Sequence, residues 1–448
     1  MHVARTFSFA SISILAALAL AACGDDGNGN GNGDGGPPPL DACAGLGCQQ
    51  VTCMGGGTTS ISGTVYAPNG TLPLYNATVY VPNSPVGALT EGVQCDRCGA
   101  TLSGDPLIET VTDTEGKFTL ENMPVGRDIP VVIQIGKWRR QFVIPQIDMC
   151  VDQPLVATET RLPKNQDEGD IPQMALTTGG ADALECMLRK IGLDDSEFTP
   201  TGGRGKVHLF TGTGGTPRFA PGLNGGAAFT NATSLWDTVD HLRPYDVVFL
   251  SCEGGQNPDT KPAPSLQALY DYSGIGGRVF MSHWHNYWVQ AGPGLLPNTA
   301  TFNFQADIGD VTADVNTSFT GGADMAQWLQ NVNASTMLGK IPLTDAQHTI
   351  DAVDATLAER WISVPSQNSI QYYQFTTPLE AEPTERCGKG VVSDIHVSTG
   401  DDSGGSLQFP NGCVTAGLSP QEKVLAFMIF DIASCVGPPI GKQVVSAP

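Results

Sequence analysis

The chain has 448 residues, with 45 Asp and Glu against 23 Lys and Arg, and a formal net charge of −22. That acidity excludes a phosphate-backbone binder, and so nucleic acid as a partner, because too few cations are present to line a row of phosphates. With 54 Gly, 32 Pro and only 15% charged residues, the composition is that of a loop-rich globular chain long enough for two or three domains.

Residues 1–22 read as an export signal. Arg5 gives a short positive start, and residues 7–22 are apolar or small, a stretch too short for a comfortable membrane span. It ends in Leu20-Ala21-Ala22-Cys23, which resembles a bacterial lipobox. The resemblance implies cleavage before Cys23, a diacylglycerol on its thiol and acylation of the new amino terminus. Acyl chains anchor firmly, since each buried CH₂ contributes about 0.8 kcal/mol. The alternative is an ordinary signal peptide in which Cys23 is incidental.

Residues 23–59 follow as a Gly/Asn/Asp tether, three prolines and a cysteine-containing segment, the spacer that a lipid-held domain requires. The expected location is the bacterial cell envelope, at the outer membrane or cell surface rather than the inner membrane. The lipid is the expected membrane contact, because so acidic a chain is repelled by anionic headgroups.

Export also sets the expectation for the other eleven cysteines: most should be bridged, and an odd number leaves one over. Cys95-Asp-Arg-Cys98 has the spacing of a zinc or redox pair, but no second pair matches it and no strand–helix frame surrounds it. Disulfides are the favoured reading there, in a surface loop of its own.

Residues 60–165 show short alternating strands with turn signals. Ala77, Val79 and Val81 alternate with polar or outward positions, and Phe118 and Leu120 resume the period after Asp113-Thr114-Glu115-Gly116. The strand at Gly63-Thr64-Val65, the strand at Asn76-Ala77-Thr78-Val79, the run 112–118 and Pro124-Val125-Gly126 together resemble the carboxypeptidase regulatory-like domain, a transthyretin-like β-sandwich. The resemblance implies an accessory role without chemistry. Trp138 with Lys137, Arg139 and Arg140 is a cationic cluster that would cradle a sugar acid or phosphate, or else is a solvated hairpin end.

From residue 171 to 437, strands alternate with helices, and 438–448 form a tail. Apolar runs at 206–210, 245–250 and 278–281 read as buried strands; 181–191, 234–242 and 266–272 read as helices. Ser419-Pro420-Gln421-Glu422 is a capping box that opens a long apolar helix. Such alternation predicts a parallel sheet in flavodoxin-like layers, with ligands at the carboxyl ends of its strands. Residues 245–255, 277–283 and Val391-Val392-Ser393-Asp394-Ile395-His396 resemble the class I glutamine amidotransferase-like fold, including its ThuA-like branch. They correspond in turn to the strand and Gly-rich loop, the nucleophile elbow, and the strand carrying the catalytic His. In that family the elbow holds Cys and the His is followed by a Glu. This chain has His283 and Ser398 there, and Cys252 falls on the preceding loop, so glutaminase activity is not expected.

His283-Trp284-His285 and Asp394-Ile395-His396 place potential ligands at i and i+2, on one face if the backbone is a strand. Converging at neighbouring strand ends, His283, His285, Asp394 and His396 would hold a divalent metal, or act as an acid–base set with Glu253 nearby. Trp284 and Trp288 would instead stack on a sugar ring in a binding cleft. The leading expectation is an envelope binding protein for carbohydrate or another envelope component, not an enzyme. The alternatives are a hydrolase or metal-dependent enzyme at those residues, or a scaffold for envelope proteins.

Overall fold

The computed structural model describes residues 45–397, 407–414 and 417–437. The lipidation candidate Cys23, its tether, Cys43, Ser398 and the 438–448 tail lie outside the described residues. Among the described residues, no helix is long and apolar enough to cross a membrane.

The alternating segment forms β1 (Ser60–Thr64), β2 (Thr78–Pro82), β3 (Pro106–Val111), β4 (Lys117–Glu121), β5 (Gly126–Ile135), β6 (Trp138–Ile147) and β7 (Asp152–Pro154), closed by one helical turn, α1 (Ala157–Thr160). They assemble as two sheets, in the orders β4-β1-β7 and β3-β2-β5-β6. In β4 only Phe118 and Leu120 are buried, the period-2 pattern of a strand with one wet face. They join Ile61, Val79, Val81, Val131 and Ile133 in the core.

The rest of the chain begins with β8 (Met174–Thr178), α2 (Leu184–Lys190), β9 (Phe198–Thr199), β10 (Val207–Thr211), β11 (Thr230–Asn231), α3 (Val239–Leu242), β12 (Val247–Leu250), α4 (Ala263–Gly274), β13 (Arg278–Ser282) and α5 (Tyr287–Gln290). It continues with β14 (Ala300–Phe302), β15 (Gly309–Val315), α6 (Thr320–Asn331), β16 (Lys340–Ala346), β17 (Ile350–Val353), β18 (Glu359–Val364), β19 (Ser369–Thr377), β20 (Gly388–Ser393) and α7 (Pro420–Ala433). One mixed sheet runs β11-β10-β8-β12-β13-β20-β19-β18-β15-β16. Strands β10, β8, β12, β13 and β20 are mutually parallel, whereas β19, β18, β15 and β16 extend the sheet antiparallel. The antiparallel extension was not anticipated from sequence; β19 is buried at seven of nine positions and shows no clean alternation.

Parallel strands covered on both faces read as continuous apolar runs, as in Val247-Val248-Phe249-Leu250. Successive residues nevertheless serve opposite layers. Val247 and Phe249 face α2 and α7, while Val248 and Leu250 face α4. Helix α7 starts on the expected capping box: Ser419 accepts from the Glu422 amide, and Glu422 accepts from the Ser419 amide. By contrast, the helix expected over 234–242 is reduced to a 3-10 turn at 232–234 and the four residues of α3.

The β-rich and α/β portions share one core rather than standing apart. Trp138 is 1% exposed and packs on Phe430 of α7, with ring centroids 5.9 Å apart. Tyr75 stacks on Phe427 and donates to Asp324 at 2.5 Å. The cationic cluster is engaged within the protein, and only its Lys137 reaches across to the α/β portion. Lys137 pairs with Asp246 at 2.5 Å, Arg139 with Asp170 at 2.8 Å, and Arg140 donates to the Thr158 carbonyl at 2.9 Å. Trp138 and Arg139 are buried, so neither offers a surface to a ligand, while Arg140 is half-buried and bonded to backbone carbonyls. At Gly136 the backbone has φ +53°, and a Cβ there would stand 1.9 Å from the Ala433 carbonyl oxygen, so only glycine allows this approach.

Four disulfides join described cysteines: Cys53–Cys150, Cys95–Cys387, Cys98–Cys435 and Cys186–Cys413. Bridging at Cys95 and Cys98 agrees with the disulfide reading. The loop is not a separate surface feature, however; both cysteines clamp it onto the α/β portion. Cys252 is a free, buried thiol.

Candidate functional site

The carboxyl ends of the parallel strands bring together the loops after β8, β12, β13 and β20, the position where α/β sheets carry their ligands. Close backbone approach sets the geometry. The Cys252 carbonyl accepts from the Ala181 amide at 3.0 Å, and a Cβ on Gly179 would lie 2.1 Å from that same oxygen. Asp182, 4% exposed, links two further loops: it accepts from Ser282 Oγ at 2.5 Å and from the Val397 amide at 2.9 Å. Its two partners immediately precede His283 and follow His396. His283 itself has φ +41°, an uncommon conformation for a residue with a Cβ, and it turns the chain sharply out of β13.

These restraints gather Cys252, His283 and His396, whose donor atoms all lie within 4.8 Å of one another. Cys252 Sγ is 3.5 Å from His283 Nδ1, and the two imidazole centroids are 5.0 Å apart. Burial pushes the Cys252 thiol up to about 12, against weaker opposition from the Trp284 and Gly254 amides. Burial, and then the neighbouring His396, hold His283 down to about 2. At neutral pH the pair is thiol and neutral imidazole, without the thiolate–imidazolium couple of a nucleophilic cysteine. His396 Nε2 is buried with no hydrogen-bond partner.

The other expected ligands are placed elsewhere, for a shared reason: both strands stop too early. Strand β13 ends at Ser282, and His283–Asn286 form a 3-10 turn in which i and i+2 do not share a face. His285 therefore points away from His283. Its Nε2 donates to the Ser251 carbonyl at 3.0 Å and its Nδ1 accepts from Trp288 Nε1 at 2.9 Å. Both nitrogens are occupied, and burial holds this imidazole down to about 4. Strand β20 likewise ends at Ser393. Asp394, fully buried and pushed up to about 6 by that burial, accepts from the Thr349 amide and hydroxyl at 2.9 and 2.8 Å. Neither His285 nor Asp394 belongs to the cluster.

Glu253 is also structural. It pairs with Lys261 at 2.6 Å, both side chains being almost fully buried, and accepts from the Thr213 amide at 2.8 Å. Burial raises its pKa, but the surrounding cations and hydrogen bonds leave it lowered overall. The Gly212-Thr213-Gly214-Gly215 loop thus braces Glu253. Trp288 is 2% exposed and packs on Trp236, which removes it as a stacking surface. Trp284 remains half-buried; its ring lies 4.7 Å from that of His283 and 5.2 Å from that of Phe304, which is 39% exposed. In the sequence Cys252 precedes the elbow and so does not stand at the nucleophile position. Its signals there were the odd cysteine count and its place at the end of a buried strand.

No family model matches this chain, and no curated protein matches it. Among solved structures, it is similar to a protein of Bacteroides uniformis described as ThuA-like, with 11% identity and a TM-score of 0.31 over 57% of this chain and 89% of that one. It is also similar to a type II cohesin–X-dockerin complex chain from Acetivibrio cellulolyticus, with 16% identity and a TM-score of 0.15 over 33% of this chain and 78% of that one.

Proposed function

We propose that this is a lipid-anchored protein of the bacterial cell envelope that binds carbohydrate or another envelope component at the strand ends of its α/β portion. The N-terminal β-rich portion serves as a carboxypeptidase regulatory-like accessory, and the α/β portion is an amidotransferase-like, ThuA-like scaffold without glutaminase chemistry. The observation that carries the reading is the Trp284–Phe304 stack beside His283. An aromatic face with one exposed member offers apolar contact to a sugar ring, and polar side chains lie directly behind it. Two features argue against a thiol hydrolase: Cys252 is held as a thiol, and the His283 φ of +41° puts an imidazole at the turn.

The test is a glycan array probed with the full chain and with Trp284→Ala, followed by calorimetry on any hit. Binding that falls at least roughly tenfold in a variant that remains folded at the assay temperature supports the assignment. Equal binding by both proteins, or none by either, removes it. Labelling of cells with radioactive palmitate, lost in Cys23→Ala, tests the anchor separately.

A further inference from the structure

We infer that Cys252, His283 and His396 form a three-ligand site for a single transition-metal ion of the zinc type. The inference rests on the strand ends being the working site and names an ion that this site would use.

The donor set selects the ion. One thiol and two imidazoles suit zinc, or a comparable borderline-soft metal, and suit calcium and magnesium poorly because those demand oxygen ligands. The spacing fits as well. Zn–S near 2.3 Å and Zn–N near 2.0–2.1 Å, at a tetrahedral angle, place sulfur and nitrogen roughly 3.6 Å apart. Cys252 Sγ and His283 Nδ1 stand 3.5 Å apart, and the third donor lies within 4.8 Å of both.

A second, independent observation is the unpartnered His396 Nε2. Buried imidazole nitrogens normally find a hydrogen bond, and His285, two residues from His283, satisfies both of its own. His396 leaves one nitrogen bare on the ring that faces His283. The support behind the donors is also what a metal site requires. Asp182 holds the residue before one histidine and the residue after the other, while the Ala181 amide holds the Cys252 backbone. Three donors on three separate loops are thereby positioned before any ion arrives.

Binding would release the Cys252 thiol proton to solvent as the S–Zn bond forms, while His283 and His396 each donate a nitrogen lone pair. The ion's two positive charges and one thiolate leave the centre with a single positive charge, which removes the penalty for a buried anion at this position. Three protein ligands leave a fourth position for water or a ligand oxygen. That is the pattern of catalytic zinc sites, whereas structural sites are closed by four protein ligands. A carbohydrate hydroxyl or a water molecule would occupy it.

The experiment uses the full chain, freed of metal with a chelator under non-reducing conditions so that its disulfides remain closed. It is titrated with cobalt(II), whose thiolate charge-transfer and visible bands report ligand type and coordination, and then with zinc to displace the cobalt. The expected result is one equivalent per chain with a thiolate band. Cys252→Ser should lose that band, and His396→Ala should bind more than about 100-fold more weakly. His396 is half-exposed, so its variant carries the test if Cys252→Ser does not fold. No saturable binding by the wild type overturns the inference and leaves a thiol–imidazole contact only. Saturable binding unaltered in both variants overturns it too, by placing the ion elsewhere. Because no organic ligand enters this titration, its failure would leave the glycan result standing, and failed glycan binding would leave the metal result standing.

Discussion

Asp182 and Ser282 are a hundred residues apart in the chain, yet the Ser282 hydroxyl donates to the Asp182 carboxylate at 2.5 Å inside the protein. The other carboxylate oxygen of Asp182 accepts from the Val397 amide at 2.9 Å. One buried acid on the β8 loop thus sets the ends of both β13 and β20, and with them the two imidazoles of the cluster.

Removing that acid should loosen the site and the fold together. Asp182→Ala strands the buried Ser282 hydroxyl, at roughly 1–3 kcal/mol, and the part-buried Val397 amide, at roughly 1 kcal/mol, so a loss of about 2–4 kcal/mol is expected. Urea denaturation followed by tryptophan fluorescence measures it. A loss below about 0.5 kcal/mol would show that the loops are held by other contacts.

Two tryptophans that look alike in sequence should behave in opposite ways. Trp138 is buried against Phe430, so Trp138→Ala should cost about 3–5 kcal/mol of stability and leave intrinsic ligand affinity unchanged. Trp284 is half-buried, so Trp284→Ala should cost less than about 1.5 kcal/mol and act on binding. Parallel melting and binding curves separate the two roles. A Trp284→Ala variant as unstable as Trp138→Ala would make Trp284 a core residue.

The paired bridges at Cys95–Cys387 and Cys98–Cys435 close loops with separations of 292 and 337 residues. Replacing all four cysteines by serine should lower stability by a few kcal/mol, most of it from the first long closure, since the second then closes only a short ring. It should also expose the 83–104 loop to limited proteolysis. Peptide mapping without reductant should recover both pairs; recovery of Cys95 joined to Cys98 would contradict this arrangement.

Glu359 provides a pH dependence remote from the site. Burial pushes its carboxyl from 4.5 up to about 7, with Asp431 adding to the shift and Gln374 and Lys389 opposing it. An acid raised in the folded state binds its proton more tightly there than in the unfolded chain. Its contribution is therefore fully present below about pH 4.5 and is lost as pH rises through 7. Discounted for partial exposure, the loss is about 1–2 kcal/mol. Glu359→Gln should flatten that part of the stability profile and be more stable than the wild type at pH 8. Parallel wild-type and variant profiles across pH 5–8 would show that Glu359 titrates normally.

Features set by neighbours along the chain were legible in the sequence. The Ser419–Glu422 capping box needs three residues and no partner, and it forms as read. The alternation through Phe118 and Leu120 and the apolar run 247–250 report their own burial, because strand period and two-sided coverage act on each residue directly. One cysteine left without a bridge, Cys252, was likewise a matter of counting an odd number.

Where strands end and what waits opposite them was decided in three dimensions. His283 and His285 were paired on the premise that the strand continues, but β13 stops at Ser282 and the next turn sends the two rings apart. Asp394 was drawn to Thr349, 45 residues away, and Lys137 to Asp246, 109 residues away. Cys252 meets His283 because β12 and β13 are neighbours and His396 because β20 follows them, an order that no local pattern encodes. The sequence by itself determined the elements and the kinds of group available. Only the packing of distant segments, with each buried polar atom competing for a partner, decided which of those groups were spent on structure and which three were left facing one another.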